Sequence, residues 1–133
     1  MNSSICFLTK NPPDDFYKLI KDFIPNHKVY VCIDDNNHKV DWEGVEIIQM
    51  DENIPRQAGY HSMYAIWEWP KFYNKSLSRE KAHYYIHKNL DTNYVWFIEE
   101  DVFIPRHDLL KQIDDKFKDS DLLIRDIQTI ETH

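Results

Sequence analysis

Tyr94-Val95-Trp96-Phe97-Ile98 is an unbroken apolar run that ends on three consecutive acids, Glu99-Glu100-Asp101. With no polar residue inside it, the run reads as a strand buried on both faces, as in a parallel sheet. Three adjacent carboxylates repel one another and resist desolvation unless a cation or water reaches them. In open α/β sheets the crevice outside the carboxyl ends of the strands is where ligands bind. The stretch therefore asks for a parallel sheet with its acids on the ligand-binding rim.

The rest of the chain supplies the other parts of such a sheet. Short apolar runs at 5–9, 28–33, 45–50 and 121–124 read as further strands, the first of them central. Lys10-Asn11-Pro12-Pro13 breaks the first strand, and Asp14 or Asp15 is placed to cap a helix. Phe16, Leu19, Ile20 and Phe23 share one face of that helix, and Pro25 ends it. A second helix is expected from Ser76 or Ser78 to about Asn89, with Ala82, Tyr85, Ile86 and Leu90 turned inward. A third opens at Pro105-Arg106-His107-Asp108 and turns Leu109, Leu110, Ile113 and Phe117 to the core. Between Glu52 and Lys75 the pattern is weak. Met63, Ile66 and Trp67 suit one helical face between Pro55 and Pro70. The order is that of an α/β fold, with a mostly parallel central sheet and helices on both faces.

A chain of 133 residues that is 42% apolar and 14% aromatic has enough material for one packed domain, expected to span residues 1–133. Only two glycines occur, Gly44 and Gly59, so no glycine-rich phosphate loop can form. Any bound phosphate has to be held by a metal or by Lys and Arg. The net charge of −7 disfavours nucleic acid and anionic membrane as partners. Cys6 and Cys32 fall inside apolar strands and read as reduced core thiols. The first residues carry no basic charge and no long apolar run, and no stretch is long enough for a membrane helix. A cytoplasmic location is the expectation.

Glu99-Glu100-Asp101 is the first candidate site. On an extended backbone Glu99 and Asp101 point to one side and Glu100 to the other. Two carboxylates on one side can hold Mg²⁺ or Mn²⁺ through oxygen ligands. The alternative is a solvated acidic loop leading to a helix. Asp34-Asp35 closes the second strand on the same rim. Either residue can accept hydrogen bonds from a ribose or a base, or can serve a tight turn. Arg79 and Lys81, at the start of the second helix, can meet a phosphate or form a solvated turn. His83 and His87 lack a metal-ligand companion and read as surface residues.

The order of elements and the Glu-Glu-Asp-Val sequence after an apolar strand resemble the nucleotide-sugar half of GT-A fold glycosyltransferases, a Rossmann-like fold. Glu99-Glu100-Asp101 is similar to the DXD motif of that superfamily. The resemblance implies that Asp101 binds the divalent metal, Mn²⁺ or Mg²⁺, that holds the donor diphosphate. It implies that Glu99 faces the nucleotide or sugar and shares the metal, with Glu100 between them. It puts Thr9 and Lys10 beside the nucleotide, Asp34 or Asp35 at the base, and Arg79 near the nucleotide sugar. The donor implied is a nucleoside-diphosphate sugar, UDP-linked in the first instance, and the acceptor is unspecified. Members of the family continue well beyond this length to build the acceptor site. The expectation is thus a metal-dependent glycosyltransferase or its donor-binding domain, either split or truncated with a partner chain supplying the acceptor site, or a small minimal member.

Two other readings compete. A receiver-like phosphoacceptor domain also gathers acids at strand ends around Mg²⁺. A non-catalytic interaction module would use Tyr60, Tyr64, Trp67, Trp69 and Phe72 as a binding surface, although these aromatics also suit a core.

Overall fold

The computed structural model describes residues 3–34, 37–51, 53–59 and 78–121, with the backbone alone at Arg56 and at 78–80. Among the described residues, four strands form one sheet: β1 (Ser3–Thr9), β2 (Lys28–Ile33), β3 (Val45–Gln49) and β4 (Tyr94–Glu99). All pairings are parallel and the order is β3-β2-β1-β4. Four helices accompany them: α1 (Asp14–Ile20, extended by a 3₁₀ turn over Lys21–Phe23), α2 (Asn53–Gln57), α3 (Ser78–Asn89) and α4 (Leu109–Lys116). The expected α/β class and its parallel sheet are present. The strand expected at 121–124 and the helical face at Met63, Ile66 and Trp67 lie outside the described residues.

Alternation along the strands sorts the core into two layers. Ile5, Phe7, Val29, Val31, Ile33 and Ile98 face α1 and α4, where Phe16, Ile20, Phe23 and Leu110 cover them. Cys6, Leu8, Tyr30, Cys32 and Ile48 face the other way, under Ala82 and Ile86 of α3. Helices thus lie on both faces. The chain steps outward from β1 through β2 to β3 with α1 on one face. It then returns past β1 to β4 with α3 on the other. Reversing both direction and face keeps one hand for both crossovers, as parallel connections require.

Several expectations need correction. β1 is buried throughout, but β4 is the edge strand of the described sheet and its Val95, Trp96 and Phe97 are only half-buried. An apolar run does not distinguish an edge from a centre, because aromatic side chains can fill both roles. Pro13, not Asp14 or Asp15, occupies the N-cap of α1, and no side chain caps it. Both acids fall in the first turn, where they suit the helix dipole. Leu19 and Phe117 were expected inside, yet Leu19 is 71% exposed and Phe117 is also on the surface. Pro55 lies in the first turn of α2, a helix that the sequence pattern does not predict, where its missing N–H costs nothing. Asp51 Oδ1 accepts hydrogen bonds from the amides of Asn53 (2.7 Å) and Ile54 (3.0 Å) and so starts that helix.

The rim at the N-terminal ends of the strands is closed by a buried polar cluster. Asp114 on α4, only 3% exposed, accepts from the Ser3 hydroxyl and from Trp96 Nε1 (2.9 Å). His27 Nδ1 lies 3.1 Å from both the carbonyl oxygen and the hydroxyl of Ser3. The carbonyl can only accept, so Nδ1 carries the proton. Cys6 and Cys32 are free and buried, with their sulfurs 3.2 Å apart. The hydrogen bond to Cys32, and then burial, hold the Cys6 thiol well above its ordinary pKa. The Cys6 thiol therefore stays protonated, and burial of both residues fits the core reading.

Candidate functional site

A sheet of order β3-β2-β1-β4 reverses direction at β1, so its topological switch point lies between β1 and β4. That is where the loops leaving two neighbouring strands diverge to opposite faces and open a crevice. β1 ends at Thr9 and β4 at Glu99, so sequence positions singled out for their chemistry border this crevice.

The two strand ends are tied together. Buried Thr9 donates its hydroxyl proton to Glu100 Oε2 at 2.5 Å, and the Glu100 amide donates to the Leu8 carbonyl at 3.2 Å. β4 then turns: the Val102 amide bonds back to the Glu99 carbonyl at 3.1 Å. Glu100 and Asp101 are the middle residues of this turn. The period-two argument that aligned Glu99 with Asp101 therefore stops applying at Glu99, because the backbone is no longer extended beyond it. Glu99, Glu100 and Asp101 are all exposed, as carboxylates reachable by water can be.

On the other side of Thr9 stands Asp34, whose amide continues the β1–β2 ladder by donating to the Thr9 carbonyl at 2.9 Å. Its carboxylate is paired with Lys81, in the first turns of α3. Lys81 is only 4% exposed. Its stem packs with the α3 layer while its ammonium reaches the rim, which keeps a buried charge compensated. Lys81 thus meets a carboxylate on the rim. Tyr85, one turn further along α3, accepts the Asp51 amide at 2.9 Å, and burial holds its phenol above the ordinary pKa. These two residues follow the inner stripe of α3. Position 81 precedes Tyr85 by four residues, and that spacing was the available signal for Lys81 as an inward-facing residue.

The loops around the rim are also joined. His38 Nε2 and the Pro12 carbonyl are 3.0 Å apart, and Gln49 Nε2 donates to the His38 carbonyl at 2.8 Å. These contacts connect the exits of β1, β2 and β3. His38 carried no motif and escaped notice in the sequence. His83 and His87 are on the surface, as expected, with His83 against the Phe97 ring at 4.6 Å.

The rim thus brings together Thr9, Lys10, Asp34, Lys81, Glu99, Glu100 and Asp101 around the ends of three adjacent strands. Asp35, the side chain of Arg79 and the aromatics Tyr60, Tyr64, Trp67, Trp69 and Phe72 lie outside the described residues. Among the described residues, no group of three or more His, Cys, Asp or Glu side chains is gathered as a metal cage. Mg²⁺ commonly binds through only one or two carboxylates and completes its shell with phosphate and water. Also among the described residues, no helix is long and apolar enough to cross a membrane. No protein-family model matches the chain, and neither a curated protein nor a solved structure does.

Proposed function

We propose that this domain binds a nucleoside-diphosphate sugar, UDP-linked in the first instance, and serves glycosyl transfer as a GT-A-like donor module. The observation that carries the reading is the acidic turn Glu99–Asp101 at the switch point between β1 and β4. Acids there can meet a diphosphate only through a cation. Lys10 on the adjoining β1 exit adds positive charge nearby.

In this reading Asp101 and Glu99 hold Mn²⁺ or Mg²⁺, which would neutralise charge on the departing diphosphate. Thr9 fixes Glu100 and thereby the start of the turn. Asp34, oriented by Lys81, accepts hydrogen bonds from the ribose or the base. Arg79 is kept as a residue near the sugar diphosphate.

The receiver-like alternative fits the strand order less well. A receiver follows the flavodoxin-like order 2-1-3-4-5, with the third strand beside the first. Here β3 lies beyond β2.

The test is thermal unfolding with Mn²⁺ and a panel of nucleoside-diphosphate sugars. The expected result is a rise in Tm when metal and one donor are both present, abolished by Asp101→Ala. A flat response to the whole panel, or a rise that survives Asp101→Ala, overturns the reading.

A further inference from the structure

A groove runs along α1 on the opposite side of the acidic turn from Asp34. Its floor is Phe7, Phe16 and Phe23, and its outer wall is the loop from Glu99 to Asp108. The narrower end holds about 110 Å³ and the wider, shallower end about 460 Å³. The first volume suits one aliphatic side chain, since a cavity of roughly 150 Å³ accepts benzene.

Apolar residues crowd its lips. Leu19 is 71% exposed, Val102 53% and Phe103 86%. Scattered exposed apolar residues need no explanation, but three around one groove mark an interaction surface. Leu19 is the clearest case, because it sits on the apolar stripe of α1 yet finds no cover among the described residues.

Charge decides what the groove can take. Glu99, Glu100, Asp22 and Asp108 line it, against Arg106 and His107. Arg106 and Asp108 offset each other, with Nε 3.7 Å from Asp108, and each also bonds Gln112 at 2.9 Å, which leaves Asp22, Glu99 and Glu100 to set the sign. The excess is acidic, and the whole chain carries −7. A second copy of this chain would oppose acids to acids. An acidic peptide would meet the same repulsion.

We propose that this groove docks a basic amphipathic helix of another protein, with an apolar anchor in the narrow end and Lys or Arg against the flanking carboxylates. An amphipathic helix laid in an apolar groove is a common recognition mode. The proposal goes beyond the nucleotide-sugar reading and does not depend on it, because the groove needs neither metal nor nucleotide.

The probe is a fluorescein-labelled helical peptide of leucine and lysine at amphipathic spacing, titrated by anisotropy with the intact chain in metal-free buffer. A leucine–glutamate peptide of the same pattern is the control. The lysine peptide is expected to bind at least about tenfold more tightly and to weaken several-fold as salt rises past the range of surface screening. Leu19→Ser and Phe103→Ser are each expected to weaken it about tenfold, and Asp22→Lys severalfold. All three sites are on the surface, so a retained Tm checks that the fold is intact. Equal binding of both peptides, or binding indifferent to Leu19→Ser and Phe103→Ser, overturns the proposal. Sedimentation showing a dimer that Phe103→Ser dissolves also overturns it, and assigns the groove to a second copy instead. Failure of the nucleotide panel above leaves every one of these outcomes readable.

Discussion

Lys81 of α3 and Asp34 at the exit of β2 form an ion pair that fastens the helix on one face to the rim of the sheet. The ammonium is nearly buried and the carboxylate keeps some access to water. The pair therefore matters chiefly for what is left behind when one member goes.

Lys81→Met leaves the Asp34 carboxylate without this cation. The expected loss is roughly 2–3 kcal/mol, somewhat below the value for a fully buried pair because Asp34 can be partly solvated. Combining it with Asp34→Asn should cost less than the sum of the single changes. Urea unfolding of the four proteins measures both statements.

Thr9→Val removes the donor to Glu100 and frees the start of the acidic turn. A stability loss of about 1 kcal/mol is expected, since Glu100 returns to water. Thr9→Ser keeps the hydroxyl and should recover most of it. Under the nucleotide-sugar reading, the metal-dependent Tm rise should shrink with Val and return with Ser.

Asp114→Ala strands two donors at the N-terminal rim, the Ser3 hydroxyl and Trp96 Nε1. Both are drawn into a network whose members depend on one another. The expected cost is about 3 kcal/mol, read as a lowered denaturation midpoint. Ser3→Ala should cost less, because the indole bond to Asp114 survives it.

Burial, with the charges of Asp91 and Glu46 adding to it, pushes the Tyr30 phenol up to about 12 from its ordinary 10. The folded protein thus holds this proton more tightly than the unfolded chain does. The sign follows: stability is unaffected below pH 10 and is lost between about pH 10 and 12, where only the unfolded chain releases the proton. Tyr30→Phe should reduce that alkaline loss by about 2 kcal/mol. It should also remove the slowest-rising part of the tyrosinate absorbance.

Gly44 leads into β3 with φ +78°, and a Cβ there would lie 3.1 Å from Ile24 Cδ1. Gly44→Ala combines left-handed strain with crowding and should cost about 1–2 kcal/mol by calorimetry. Gly59, also at positive φ but in open space, should suffer only the strain.

Much of this architecture was legible because the strands are short apolar runs with polar exits. β2 and α3 begin and end close to where periodicity and capping residues put them. Strand order was not legible, since an apolar run does not name its neighbours. That is why the apolar run of β4 reads as buried on both faces when four of its residues are only half-buried. Burial of Asp114 was equally hidden: its partners, Ser3 and Trp96, are joined to it only by the fold. The candidate rim was readable as a set of strand-end polar residues. The tie between Thr9 and Glu100 was not, because an extended chain would have sent Glu100 elsewhere, and only the turn at Glu99 brings it round.

Cys6 and Cys32 are fully enclosed on the two innermost paired strands, sulfur against sulfur. A maleimide can reach neither until α3 lifts from the face of the sheet that both thiols occupy. With reagent in large excess, alkylation of the native chain therefore runs at the rate at which that layer opens, and the two thiols should be consumed together. The protein carries a built-in clock for the opening of that layer, one that needs no dye and no engineered residue.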